Sequence, residues 1–226
     1  MKGAITGIVL SVVLISLATP VAGLAEKPNK VSADYTLDLF QRSQDYGPWH
    51  MISLDYSHKF SFMSLIGRAN YAARDFGSGP KQGIQFEIDA YPKIKKGLYG
   101  YMNLGFSPSS IFPVLRAGLE PYFGLPWSME TSIGIRYLQF STAVFILTGH
   151  LGKYYSNYWF SIRPFLTFKP EGPSISGIFL ARRYFADADN YLTLILGYGS
   201  SPEELISTQE IERASSYKAG LDARAC

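Results

Sequence analysis

A chain of 226 residues holds one domain or one membrane barrel and is too short for a multidomain enzyme with its own cofactor module. Charged residues make up only 17%, aromatics 15% and hydrophobic residues 47%, which excludes a disordered chain and is unlike a typical cytosolic enzyme. The net charge of +3, from 21 basic and 18 acidic side chains with no basic run beyond Lys93, Lys95 and Lys96, lacks the footprint of a nucleic-acid binder.

The first 25 residues follow their own grammar: Lys2, an uncharged run most apolar over residues 8–17, then Pro20 and the small residues Ala22, Gly23 and Ala25. This predicts a secretory signal peptide over residues 1–25, cleaved near Ala25, ahead of a single domain over 26–226. A retained N-terminal anchor is the alternative; the run is short for a span and Pro20 interrupts it. The cysteine count is 1, Cys226 at the last position, which removes intrachain disulfides, thiolate metal sites and a Cys–His nucleophile.

Beyond residue 25 the pattern has a period of two, the signature of strands with one apolar and one polar face. Residues 34–40 and 64–71 are plausible strands of less regular alternation, and between them Ile52, Leu54 and Tyr56 face away from Ser53, Asp55 and Ser57. In the next segment Ile84, Phe86, Ile88 and Ala90 oppose Gln85, Glu87, Asp89 and Tyr91. Leu98, Met102, Leu104 and Phe106 then alternate with Tyr99, Tyr101, Asn103 and Ser107, and Leu115, Ala117, Leu119 and Phe123 with Arg116, Gly118, Glu120 and Tyr122. The same holds for Met129, Ile133, Ile135 and Tyr137 against Glu130, Ser132, Gly134 and Arg136, and for Tyr158, Phe160, Ile162 and Leu166 against Trp159, Ser161, Arg163 and Thr167.

Two segments resist a parity assignment: residues 145–151 are apolar on both faces, and within 174–184 Arg182 and Arg183 fall on opposite faces. Residues 191–199 and 217–224 complete a count of about twelve strands. The connections are tight, as at Tyr46-Gly47-Pro48, Gly77-Ser78-Gly79-Pro80, Lys96-Gly97, Ser107-Pro108-Ser109-Ser110, Gly124-Leu125-Pro126 and Pro170-Glu171-Gly172-Pro173, so the strands form an up-and-down meander. The longer connection over 200–216 opens with Ser201-Pro202-Glu203-Glu204, which predicts a short helix.

The longest uncharged stretch after the leader, residues 97–115, contains Pro108, Pro113 and several glycines and serines, so it cannot be a spanning helix. An exported membrane protein without such a helix must satisfy its backbone in a closed barrel. The fold class read here is therefore all-β, a transmembrane antiparallel up-and-down β-barrel, with a soluble sandwich as the alternative. Favouring the barrel are a continuous apolar face and the aromatics Phe106, Phe123, Trp127, Tyr137, Tyr158 and Phe168, placed as an interfacial girdle.

Five stretches in order carry a resemblance: Gln85-Phe86-Glu87-Ile88-Asp89-Ala90-Tyr91-Pro92, Ile133-Gly134-Ile135-Arg136-Tyr137, Leu151-Gly152-Lys153-Tyr154-Tyr155-Ser156-Asn157-Tyr158-Trp159-Phe160, Arg182-Arg183-Tyr184-Phe185-Ala186-Asp187-Ala188-Asp189-Asn190-Tyr191 and Gly197-Tyr198-Gly199-Ser200-Ser201-Pro202. Together they resemble the YaiO family of bacterial outer-membrane β-barrels, over about residues 33–224. The resemblance implies architecture and location in the Gram-negative cell envelope, and carries no activity onto named residues. The ending Ala223-Arg224-Ala225-Cys226 lacks the aromatic strand end of such barrels, so a truncated last strand and a weak seam against residues 33–40 are expected.

The inward parity collects Glu87, Asp89, Tyr99, Tyr101, Asn103, Arg116, Glu120, Glu130, Arg136, Trp159 and Arg163. Acids and arginines from facing walls can pair into a tight, partly plugged interior. The functional alternative is a polar pore or a shallow sugar or ion site with Tyr99, Tyr101 and Trp159 as stacking platforms. A new charge at inward Ser132 is expected to cost less than one at Ile88 or Ile133.

No catalytic residue, metal site or cofactor is expected. His50 and His58 share the lipid-facing parity, His150 is read with them as an interfacial histidine, and no G-x-S-x-G motif occurs. Asp187 and Asp189 are read as turn residues. The expected role is a non-enzymatic structural or passive-transport component of the cell envelope. The alternatives are a glycan-handling or polysaccharide-export-associated barrel and an outer-membrane lipid or glycan hydrolase. Expected partners are outer-membrane lipid, the barrel-assembly and periplasmic chaperone machinery in transit, and glycan, with no nucleic acid.

Overall fold

The computed structural model describes residues 7–14, 28–39, 48–75, 79–169, 172–185, 190–199 and 216–224. In chain order the strands are β1 Gly7–Leu14, β2 Asn29–Leu39, β3 Trp49–Lys59, β4 Met63–Asp75, β5 Pro80–Lys95, β6 Leu98–Phe106, β7 Leu115–Leu125, β8 Met129–Gln139, β9 Ala143–Tyr155, β10 Tyr158–Lys169, β11 Gly172–Tyr184, β12 Tyr191–Tyr198 and β13 Ser216–Arg224. From β2 to β13 each strand pairs antiparallel with the next, as the meander requires. β1 lies between β2, to which it is antiparallel, and β13, to which it is parallel, and the sheet closes on itself. Residues of the expected leader thus occupy the place where β2 and β13 were expected to meet. The expected helix over 200–215, the pair Asp187 and Asp189, and Cys226 lie outside the described residues.

Two solvents dictate the alternation. Along β5, Gly83, Gln85, Glu87 and Asp89 are buried inside while Ile84, Phe86 and Ile88 are exposed outside, and β6 repeats this with Asn103 and Gly105 against Met102, Leu104 and Phe106. Such an apolar outer band is unfavourable in water and favourable in lipid, and no helix of the described residues is long and apolar enough to cross a membrane.

β5 runs to 16 residues, past the alternating core 84–91 at both ends: residues 80–83 pair with β4, and Lys93 and Lys95 pair with Tyr99 and Leu98 of β6 across an irregularity. In β9 the exposed Phe145, Leu147 and Leu151 alternate with buried Val144, Ile146, Thr148 and His150. Both faces looked apolar because Val144 and Ile146 join Leu138 and Phe165 in a cluster inside the barrel. In β11 Arg182 turns inward and Arg183 outward.

Strand direction sorts the connections into two ends. Residues 60–62, 96–97, 126–128, 156–157, 185 and 190 share the end where β2 starts and β13 finishes, here the turn end. Trp127 and Ser128, with φ of 59° and 56°, and Ser156 at 53° adopt the left-handed region in two of these short turns. The girdle aromatics divide between the ends, with Phe123, Trp127 and Tyr158 at the turn end and Phe106, Tyr137 and Phe168 at the other.

At that second, loop end residues 107–114 fold inward. Gly83 admits them: a Cβ there would lie 2.6 Å from Ser109 Cβ and 2.7 Å from Ile111 Cγ1. The Ser107 hydroxyl donates to the Ile84 carbonyl at 2.5 Å, and the Ile84 amide donates to Ser109 Oγ at 3.0 Å. Ile111 and Phe112 are thereby buried with Ala72 inside the mouth, and Arg74 sits between the rings of Trp49 and Phe112, 5.1 and 5.0 Å away.

Candidate functional site: the charged lumen

The facing strands β3 to β12 deliver polar side chains to one interior, and the distances define four linked groups. In the first, Arg68 on β4 reaches across to Asp55 on β3 at 2.8 and 3.0 Å, and to Asp89 on β5 at 3.5 Å. Asp89 also accepts from the Asn103 amide at 2.6 Å and the Tyr101 hydroxyl at 3.1 Å.

Glu87 anchors the second group. It accepts from Asn70 at 2.7 Å and Asn103 at 3.2 Å, and its carboxylate lies 3.2 Å from Arg116 Nη1. Arg116 Nε donates to Asn103 Oδ1 at 3.0 Å, which orients the asparagine that serves both acids. The neighbouring glycine makes room: a Cβ on Gly105 would fall 2.6 Å from Arg116 Cγ.

The third group is the most enclosed. Glu120, 1% exposed, receives Arg163 Nη1 at 2.7 and 2.9 Å on its two oxygens, Ser132 Oγ at 2.5 Å, and Arg136 Nη2 at 3.5 Å. Arg163 Nη2 donates to the Tyr122 hydroxyl at 2.6 Å. Gly134 stands beside this carboxylate, where a Cβ would come within 2.8 Å of Glu120 Cβ. Hydrogen bonds to charged groups are the stronger kind, and desolvation makes each depend on its partners staying in place.

The fourth group, toward the turn end, is a row of rings. Tyr99 stacks on Tyr122 with centroids 4.7 Å apart at 10°, Tyr122 lies 5.7 Å from His150, and His150 lies 5.8 Å from Trp159. Tyr99 donates to Glu130 at 3.3 Å, and Glu130 sits 3.9 Å from His150 Nε2. Arg182 covers Trp159 at 5.3 Å and Tyr191 at 3.9 Å, and its Nε donates to Thr193 at 2.8 Å. The buried nitrogens of His150 and Trp159 Nε1 have no hydrogen-bond partner among the described residues.

The eleven inward candidates of the sequence reading, Glu87, Asp89, Tyr99, Tyr101, Asn103, Arg116, Glu120, Glu130, Arg136, Trp159 and Arg163, all lie within these four groups. The groups also contain Asp55, Arg68, Asn70, Tyr122, Ser132, His150 and Arg182, which were not among those eleven candidates. Parity alone pointed to Tyr122 and Ser132, whereas His150 was hidden by the apolar look of its strand.

Two expectations need correction. His150 is 5% exposed inside the lumen and is not an interfacial residue; His50 and His58 do face outward, bonded to Tyr35 and Asn29 at 2.7 and 2.5 Å. Ser132 is 8% exposed and donates to Glu120 beside Arg136 and Arg163, so an arginine there would break that bond and add a third like charge, and the inward position is not expected to be the tolerant one. Among the described residues no serine hydroxyl hydrogen-bonds a histidine, and no cluster of three or more His, Cys, Asp or Glu has metal-site spacing.

A closed ring of strands, antiparallel throughout from β2 to β13, with an apolar exterior and an ion-paired interior is the architecture of a membrane β-barrel. The chain belongs to the YaiO membrane β-barrel domain family, whose family model matches residues 28–204. Membership in a family of membrane β-barrels implies an outer membrane. No curated protein and no solved structure matches the chain.

Proposed function

We propose that this protein is a plugged structural barrel of the bacterial outer membrane, exported by a cleavable leader over residues 1–25, carried by periplasmic chaperones and inserted by the barrel-assembly machinery. The observation that carries the reading is the path past Tyr101 and Arg116. Tyr101 is held by Asp89 and covered by Arg136 at 5.9 Å, and Arg116 is held by Glu87 and Asn103, which leaves paired side chains where a diffusion channel needs water. In planar bilayers the purified barrel should give no steady stepwise conductance. Reproducible open levels that scale with salt would establish passive transport in its place.

A glycan-handling role is the second reading, supported by the row Tyr99, Tyr122, His150 and Trp159, since stacked rings suit the apolar face of a sugar. Titration of Trp emission with oligosaccharides, compared between the native chain and Trp159→Phe, tests it. A saturable change confined to the native chain would favour glycan binding over a purely structural role.

A further inference from the structure

We propose that Lys153 and Arg183 form a clamp on the outer surface of the barrel for the phosphate of an anionic phospholipid. Among the described residues of β6 to β12, these are the charged side chains on the lipid-facing parity, and both lie at the turn end. They flank one strand. Lys153 on β9 stands opposite Phe160 of β10, and Arg183 on β11 stands opposite Tyr158 of the same strand. Tyr158 and Phe160 form a parallel pair, centroids 6.1 Å apart at 9°, so the two cations border a common aromatic floor. Two strand spacings and a two-residue offset along β10 put their backbones roughly 12 Å apart, within reach of two long side chains around one phosphate once Lys153 exchanges the Trp127 carbonyl for the anion.

The partners of these cations differ from those of the lumen. Arg68, Arg116, Arg136 and Arg163 each pair with a carboxylate inside the barrel. Arg183 instead lies against the rings of Tyr158 and Phe185, at 5.8 and 5.3 Å, and Lys153 donates to the Trp127 carbonyl at 2.5 Å. Among the described residues neither makes an ion pair with a carboxylate. An uncompensated cation at the edge of the hydrocarbon is best satisfied by the anion found at that depth, the lipid phosphate.

The depth is marked by the rings around the clamp. Trp127, Tyr155 and Phe185 are 82%, 70% and 61% exposed at the same rim, the placement of side chains at headgroup level. Short turns of outer-membrane barrels face the periplasm, so this rim meets the phospholipid leaflet, and the occupant is an anionic glycerophospholipid.

The test reads contact quenching of Trp127 after reconstitution into vesicles containing brominated phosphatidylglycerol or brominated phosphatidylcholine. The native chain should associate with the phosphatidylglycerol about five- to thirty-fold more strongly, from about five-fold per cation. K153Q/R183Q should quench equally with both lipids while keeping its heat-modifiable folded band, and Arg183→Lys should retain most of the preference. No preference in the native chain, or an undiminished one in the folded double variant, overturns the clamp. Persistence of the difference in Trp127→Phe places lipid selection elsewhere and overturns it too. Abolition of the preference by millimolar inorganic phosphate would define a general anion site and sink the commitment to lipid.

Discussion

The carboxylate of Glu120 has two guanidinium neighbours, so the two sides of its ion pair with Arg163 should not cost the same to remove. Replacing Glu120 by Leu takes away the acceptor for Arg163 at 2.7 and 2.9 Å, for Ser132 at 2.5 Å and for Arg136 at 3.5 Å. Two largely enclosed arginines, 12% and 17% exposed, then lose the charge they face, at a cost of about 3–5 kcal/mol. Replacing Arg163 by Met leaves Glu120 with Ser132 and Arg136, so the loss is that of hydrogen bonds to a charged group, about 1.5–3 kcal/mol. In the double variant the pair is exchanged for apolar volume, and the total should fall short of the sum by about 1–3 kcal/mol. Urea titration of the barrel folded into phospholipid vesicles, followed by Trp emission, yields the four free energies. Losses that add within about 0.5 kcal/mol would mean that water screens the pair and that the lumen is wet, which would refute both the plugged interior and the function proposed from it.

Other perturbations test other parts of the same architecture. Ile88→Arg and Ile133→Arg, both at mid-strand on the outer face where the native side chains are 56% and 68% exposed, should each cost about 2–4 kcal/mol in vesicles; near-neutral effects would reverse the assignment of faces. Gly134→Ala drives a methyl to 2.8 Å from Glu120 Cβ and 3.1 Å from the Leu119 carbonyl, and should lower stability by about 1–3 kcal/mol in the same urea assay, whereas Gly67→Ala, with nothing within 4 Å of its Cβ, should be close to neutral. Arg74→Ala removes a donor at 3.0 Å to the Ile111 carbonyl and the cation held between Trp49 and Phe112, so residues 107–114 should become the first site of proteolytic nicking with the barrel otherwise intact.

Where lipid lies on one side of a strand and paired charge on the other, the two environments demand different residues, and β5, β6 and β7 wear that demand openly. The signal fails where an environment departs from the rule. At the loop end the interior is itself apolar, with Val144 and Ile146 packed on Leu138 and Phe165, so β9 loses its polar face. At the turn end the outer surface carries Arg183 against the rings of Tyr158 and Phe185, so β11 has arginines on both faces. Ser107-Pro108-Ser109-Ser110 has the composition of an ordinary turn, yet the next two residues, Ile111 and Phe112, are drawn inside because Gly83 leaves the space. Partner choice was least visible. Which arginine meets Glu120 depends on the shear of strands 43 positions apart in sequence, and on Gly134, whose missing side chain is informative only once its neighbour across the sheet is known.

The seam joins the parity of the barrel to its export. β2 to β13 form twelve antiparallel strands, an even number, so the outer edges of β2 and β13 run antiparallel and could close the ring directly. A thirteenth strand breaks this symmetry, and β1 accordingly pairs parallel with β13 from Gly7–Ser216 to Val12–Leu221 while meeting β2 only from Leu10–Leu39 to Leu14–Tyr35. Removal of a leader ending near Ala25 removes β1 as well and exposes both edges, where each unpaired backbone group in hydrocarbon costs several kcal/mol. That cost far exceeds what separates one register from another, and it drives β2 onto β13. β1 in the ring and a processed leader are therefore mutually exclusive states of one seam. With the leader processed as proposed, the exported barrel is expected to close through β2 and β13, and its folded, heat-resistant species should begin after Ala25 on N-terminal sequencing. Recovery of residues 7–14 in that species would instead establish the parallel seam as the closure used in the membrane.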